Sequence, residues 1–185
     1  YCIIPYLRGH YRSVPMEDLI SEASYLAQEG VRELILVAQE TTLYGKDLYG
    51  KKMLPELLKK LSEIDGLTWI RVLYMYPEEL TEELLDTMAS LPKVCHYLDI
   101  PIQHASDRIL KAMARKTTRA EITERIAKMR KEIPDIALRT SLITGFPGEK
   151  KADHKIMIDF VKEIGFDRLG VFTYSREEGT KAAES

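Results

Sequence analysis

Apolar residues along this chain switch repeatedly between two periods. Leu19, Ile20, Ala23, Leu26 and Ala27 recur at helical spacing and share one face. Pro15 stands at the first helical position, Glu17 and Asp18 fill the first turn, and Gly30 ends the run. ELILVA at 33–38 is short and continuous, which predicts a strand covered on both faces. Four more strands are predicted: TWIRVLYM at 68–75, YLDIPI at 97–102, IALRTSLI at 136–143 and RLGVFTY at 168–174. Between them lie helical stripes. Leu54, Leu57, Leu58, Leu61 and Ile64 form one, and Leu80, Leu84, Leu85, Met88 and Leu91 the next. Ile122, Ile126, Met129 and Ile133 follow, stopped by Pro134, and then Ile156, Phe160, Val161 and Ile164, stopped by Gly165.

The order is a helix, four strand–helix units and a last strand. Serial right-handed crossovers of that kind make a parallel sheet, open or curled into a barrel. A helix that opens the pattern without a strand before it implies a first strand upstream of residue 1. The expected fold is therefore α/β, a parallel six-unit partial barrel of the triosephosphate-isomerase type with its first strand missing. The longest predicted loop, QETTLYGKDLYGKK at 39–52, follows the carboxyl end of a strand, where parallel α/β proteins place their chemistry.

Composition narrows the reading only a little. The 185 residues suit one domain, and a net charge of −2 argues against a surface coated for nucleic acid. No apolar run approaches the ~20 residues that span a bilayer, and no signal-peptide pattern is visible. Two cysteines, Cys2 and Cys95, without a secretory signal read as a reducing cytoplasm. Cys95, at a strand start, reads as a small buried hydrophobe.

Polar residues gather at the predicted strand ends: Gln39, Glu40, Thr41 and Thr42; Gln103 and His104; Thr173, Tyr174 and Ser175. Arg139, Thr140 and Ser141 interrupt the fourth strand. In a parallel barrel these groups converge on one rim, although strand ends running into solvated loops would look the same one at a time. TGFPGE at 144–149 is a glycine-rich turn into a helix, and the N–H groups of the helix that follows could meet an anion. His10, His96, His104 and His154 lack metal-ligand spacing, and there is no nucleophile elbow or P-loop. Residues 108–131 hold nine Lys/Arg, a phosphate-binding face or a solvated helix face. PEELTEELLD at 77–86 reads as an acidic, capped helix start.

The opening stretch YCIIPYLRGHYRS resembles the end of the cluster-binding loop of radical S-adenosylmethionine enzymes, and within them the methylthiotransferases. That family holds a 4Fe-4S cluster on three cysteines, Cys-x-x-x-Cys-x-x-Cys. Cys2 matches the third, so the first two would lie upstream. LVAQETTLYGKDLY, YLDIPIQH, LRTSLITGFPGE and FDRLGVFTYSREEGT are similar to the branch that modifies a ribosomal protein. The sister branch, which modifies tRNA, usually carries Gly-Gln-Asn-Val where this chain has Ala38-Gln39-Glu40-Thr41. It usually carries Gln-Ser-Gly in place of Gln103-His104-Ala105. Lys150-Lys151 departs from the acidic residues usual in the family.

The resemblance implies cofactors and a site. S-adenosylmethionine would bind on the cluster inside the barrel. Gln39, Glu40 and Thr41 would face its methionyl amino end, and Gln103 and His104 its ribose. Ser141, Ile143 and Gly145 match an adenine-side motif, with Ser141 where glycine is usual, and Phe172 and Tyr174 would flank the adenine. Arg139 is a partner for the methionyl carboxylate, because a guanidinium binds carboxylates bidentately. The implied activity is methylthiolation of the β-carbon of an aspartate in small-subunit ribosomal protein number twelve, through a 5′-deoxyadenosyl radical. External electron and sulfur donors are needed, and nucleic acid is met only through the ribosome. The family also carries a second cluster in an N-terminal domain and a small C-terminal β-barrel domain. Residues 1–185 would be the radical-SAM core alone, inactive and holding no cluster or S-adenosylmethionine by itself. A tRNA methylthiotransferase, a barrel-like binding module without redox chemistry, and a phosphosugar enzyme on a closed barrel are the rival readings.

Overall fold

All five expected strands form, in a computed structural model that describes residues 2–184. The helices and strands in chain order are α1 (Ile4–Arg8), α2 (Met16–Gln28), β1 (Glu33–Leu36), α3 (Lys46–Tyr49), α4 (Leu54–Ser62), β2 (Trp69–Val72), α5 (Glu82–Ser90), β3 (Tyr97–Asp99), α6 (Asp107–Ala112), α7 (Arg119–Glu132), β4 (Ala137–Thr144), α8 (Lys151–Ile164) and β5 (Arg168–Thr173). Sequence patterning missed α1, α3 and α6. Each is short, and α1 and α3 bury no residue, so neither carries an apolar stripe.

The strands are parallel. β1 pairs with β2, and β3 with β4 and β4 with β5. Ile70 links the two groups. Its N–H donates to the Lys93 carbonyl at 2.7 Å, and its carbonyl accepts from Cys95 N–H at 2.9 Å. The result is one arc in chain order whose outer edges, β1 and β5, pair with no other strand among the described residues.

Alternation along each strand sorts the side chains. Ile70, Val72, Leu98, Leu138 and Leu142 point outward and are buried with helix residues such as Leu58, Met88, Ile126 and Phe160. Burying side chains of this size stabilises by about 1.5–3 kcal/mol each. The inner face differs from expectation at β1. ELILVA was read as covered on both faces, yet Ile35 and Val37 are exposed. Only Leu34 and Leu36 pack against the helical layer. The inner side lines the hollow of the arc.

Helix ends follow their local chemistry. Thr118 and Glu121 form a reciprocal capping box that starts α7. Pro15 is the N-cap of α2 rather than its first residue. Gly165, at φ 63°, ends α8 in the left-handed conformation that glycine adopts without steric cost.

Candidate functional site

A cavity of about 630 Å³ opens at the carboxyl ends of the strands. Among the predicted site residues, Cys2, Gln39, Glu40, Gln103, Arg139, Ser141, Ile143 and Phe172 line it. Thr41, His104, Gly145 and Tyr174 are not in its wall. Thr41 is buried beneath the rim, where its hydroxyl donates to the Leu73 carbonyl. Tyr174 is half-buried and meets the Phe146 ring edge-on, with centroids 5.4 Å apart.

His104 is fully buried behind the wall. Its Nδ1 accepts from Ser106 N–H at 2.9 Å, so the ring proton sits on Nε2. Nε2 lies 3.6 Å from Glu149 Oε1, too far for a hydrogen bond. Burial pushes the imidazole pKa down, against the pull of Glu149. Glu149 also closes the GFPG turn: its Oε2 accepts from Gly145 N–H at 2.5 Å and Phe146 N–H at 3.0 Å. The amides of Gly145 and Phe146 are thus occupied by the chain's own carboxylate.

Glu40 faces inward. Its Oε1 accepts from Thr42 N–H at 3.0 Å and from the Thr42 hydroxyl, and its Oε2 from Tyr76 N–H at 2.9 Å. Burial outweighs these bonds and raises its pKa to about 7. Asp99 Oδ1 accepts from the Arg139 guanidinium at 2.6 Å. Arg139 therefore reaches the cavity already bound to one acid.

Backbone strain concentrates here. The non-glycine residues with positive φ among the described residues are Tyr74 (58°), Gln103 (71°) and Ala114 (55°). All three line this cavity. Gln103 is the centre of a γ-turn closed by His104 N–H to the Ile102 carbonyl at 2.9 Å, a rare and strained arrangement. Such strain costs on the order of 1–3 kcal/mol per residue and clusters at ligand sites.

Sequence reasoning missed one wall entirely. Tyr74, Tyr76 and Glu78 follow β2, and Met113, Arg115 and Lys116 follow α6. Spacing alone places Arg115 in a basic segment with a solvated helix face. Its side chain is 6% exposed, and its guanidinium stacks 4.5 Å from the Tyr76 ring centroid. Most of the basic segment 108–131 is pinned to neighbours. Arg108 binds Asp153, Arg119 binds Glu163, Lys128 binds Glu82, Arg125 donates to the Pro77 carbonyl, and Arg130 to those of Ile164 and Gly165.

The donor set bears on an iron–sulfur cluster. Among the described residues, no three His, Cys, Asp or Glu side chains group closely enough to hold a metal ion. Cys2 supplies one exposed thiol at the cavity. For a nucleoside-sized cofactor the cavity volume falls within the usual range of about 300–1,000 Å³. Phe172, 58% exposed, offers a ring face.

A family model described as "Radical SAM superfamily" matches residues 1–161, and the chain belongs to that superfamily. It is 66% identical over 184 residues to the ribosomal protein uS12 methylthiotransferase RimO of Lachnoclostridium phytofermentans, a match covering 100% of this chain and 42% of that protein. The RimO proteins of Acetivibrio thermocellus and Geobacter sulfurreducens are 62% and 56% identical, covering 98% and 100% of this chain and 40% and 41% of theirs. The chain thus spans less than half the length of these curated relatives. A solved structure of archaeal Methanocaldococcus infernus Elp3 superposes with a TM-score of 0.60 at 16% identity, over 97% of this chain and 46% of that one. It supports the fold alone. No helix among the described residues is long and apolar enough to cross a membrane.

Proposed function

We propose that this chain is the core of a cytoplasmic radical-SAM methylthiotransferase that modifies the β-carbon of an aspartate in ribosomal protein uS12. The observation that carries the reading is the cavity. Cys2, Gln39, Gln103, Arg139, Ser141, Ile143 and Phe172 line one hollow, in a chain whose relatives bear that name. When bound, a reduced 4Fe-4S cluster and S-adenosylmethionine supply one-electron cleavage and a carbon radical that abstracts hydrogen. An electron donor and a sulfur source come from outside the chain. Two further thiolates would join Cys2, from outside the described residues.

The chain's own residues orient and shield. Phe172 gives the adenine a face, and Ser141 and Ile143 form the strand wall beneath it. Gln103 offers an amide to the ribose, and Gln39, at the exposed rim, meets the amino end. Glu40 and Thr41 act one layer back. Glu40 ties the loop after β1 to Tyr76, and Thr41 N–H donates to the Tyr74 carbonyl at 3.0 Å. His104 and Glu149 hold the backbone behind Gln103 and Gly145. Support for a protein target over tRNA comes from residues 108–131, whose arginines are spent on neighbouring elements rather than offered to phosphate.

The test is mass spectrometry of uS12 and tRNA from cells lacking the gene. Loss of one methylthio group from the uS12 aspartate, with tRNA methylthiolation intact, is expected. The reverse pattern assigns the chain to tRNA.

A further inference from the structure

We infer that His104 is a positioning residue that, through Glu149, couples the strained Gln103 turn to the GFPG turn so that the two act as one wall. Gln103 lines the cavity and is bridged to β4 by its backbone. Its N–H donates to the Ser141 carbonyl at 2.9 Å, and its carbonyl accepts from Ile143 N–H at 2.8 Å. Strain at φ 71° persists only where the surroundings enforce it. The His104 ring, next in the chain, is placed to do so. Nδ1 is anchored by Ser106 N–H, and the Ser106 hydroxyl donates to Asp153 on α8 at 2.6 Å. Nε2 is a buried donor without a hydrogen-bond partner among the described residues. Orphans of this kind are few in folded proteins, and each calls for a physical reason. This one faces Glu149 Oε1 across 3.6 Å.

Glu149 is suited to be its partner. The side chain is 6% exposed, and its other oxygen already closes the GFPG turn on the Gly145 and Phe146 amides. A displacement of about half an ångström would bring Nε2 into hydrogen-bond range. One carboxylate would then join the turn after β3 to the turn after β4. Burial disfavours the imidazolium, so what meets Glu149 is a neutral N–H. His154 on α8 faces the same oxygen, with Nδ1 3.2 Å from Glu149 Oε1 and 3.2 Å from the Thr144 hydroxyl. That ring is 45% exposed. Two imidazoles therefore meet one carboxylate oxygen, and only the buried one is next in the chain to a residue of the cavity wall.

The inference rests on the S-adenosylmethionine reading only for its probe, 5′-methylthioadenosine. Calorimetry on the full-length protein compares two variants that split the two bonds of the ring. His104→Asn keeps an acceptor near Ser106 N–H but is too short for Glu149. His104→Gln reaches Glu149 and gives up the Ser106 bond. The Asn variant is expected to bind the probe about tenfold more weakly, and the Gln variant to bind like the parent. Glu149→Gln can keep its oxygen on the turn amides while turning an NH2 toward Nε2. Combined with His104→Asn, it should weaken binding little beyond either change alone, as for residues that act through one contact. His154→Phe should leave the affinity unchanged. Equal losses in the Asn and Gln variants overturn the proposal. So do losses for His104→Asn and Glu149→Gln that multiply, or a His154→Phe variant as weak as His104→Asn. A parent protein that binds no 5′-methylthioadenosine refutes the cofactor reading instead. The same cycle is then read from melting points, where additive losses overturn the coupling.

Discussion

Glu40 and Asp153 do the same architectural task in opposite electrical states. Each is a buried carboxylate, and each ties two loops together. Asp153 accepts from the Ser106 hydroxyl at 2.6 Å, from Lys150 N–H at 2.9 Å and from the Arg108 guanidinium. With a cation in contact, its pKa is held far below the carboxylate range. Glu40 accepts as many bonds, all from neutral donors, and its pKa rises to about 7. At Glu40 burial outweighs the neutral donors, whereas at Asp153 desolvation is weaker than either the Arg108 or the Ser106 bond. The cavity lies on the Glu40 side, so its rim carries an acid poised near neutrality.

The largest test of this contrast is the pH dependence owed to Glu40. Below about pH 4.5 the carboxyl is protonated whether folded or unfolded. As pH rises, the unfolded chain ionises first, so stability falls until the folded group ionises near pH 7. The shift corresponds to about 3 kcal/mol. Urea titrations of Glu40→Gln at several pH values should lack this decline. A variant curve parallel to the parent's would mean that Glu40 is charged in the fold.

Asp153→Ala comes next. It orphans the Ser106 hydroxyl and Lys150 N–H, at about 2 kcal/mol near pH 7. Its sign with pH is opposite. The Asp153 contribution is full above the ordinary carboxyl pKa and fades as pH drops below about 4, so the gap between variant and parent should close in acid. The smallest effect belongs to Arg108→Met, because that side chain is 52% exposed. Under 1 kcal/mol is expected, as for other exposed pairs. A loss as large as that of Asp153→Ala would mean that the cation, not the acceptor geometry, holds the loop.

Much of this architecture was legible from spacing. The apolar runs and helical stripes located every strand and the long helices, because burial against a helical layer imposes period and composition together. The curl that opens the inner face was not legible at β1, since a run such as ELILVA looks the same against a second layer or an empty hollow. Gln39 and Gln103 were legible as strand-end chemistry, Cys2 and Phe172 only through the family resemblance, and the cavity gathers all four. Glu40 and His104 were equally visible, yet His104 is buried behind the wall and the Glu40 carboxylate, though in the wall, is tied up by Thr42 and Tyr76, because a side chain's direction depends on loop partners that no periodicity encodes. Tyr74 left no trace. Left-handed backbone is anticipated from glycine or asparagine, and nothing in LYMYP announces it.

The parallel register has a consequence for synthesis. Glu33 pairs with Trp69, and Arg139 with Arg168, so no strand finds its partner in a local hairpin. Ribosomes add roughly 5–20 residues per second, so β1 leaves the tunnel seconds before β2 can join it. During that interval ELILVA is an apolar segment without a ladder, the kind that seeks another copy of itself. On a crowded polysome the arc's own chain order, which lets each new strand dock on the one before, is what limits the wait to a single crossover at a time.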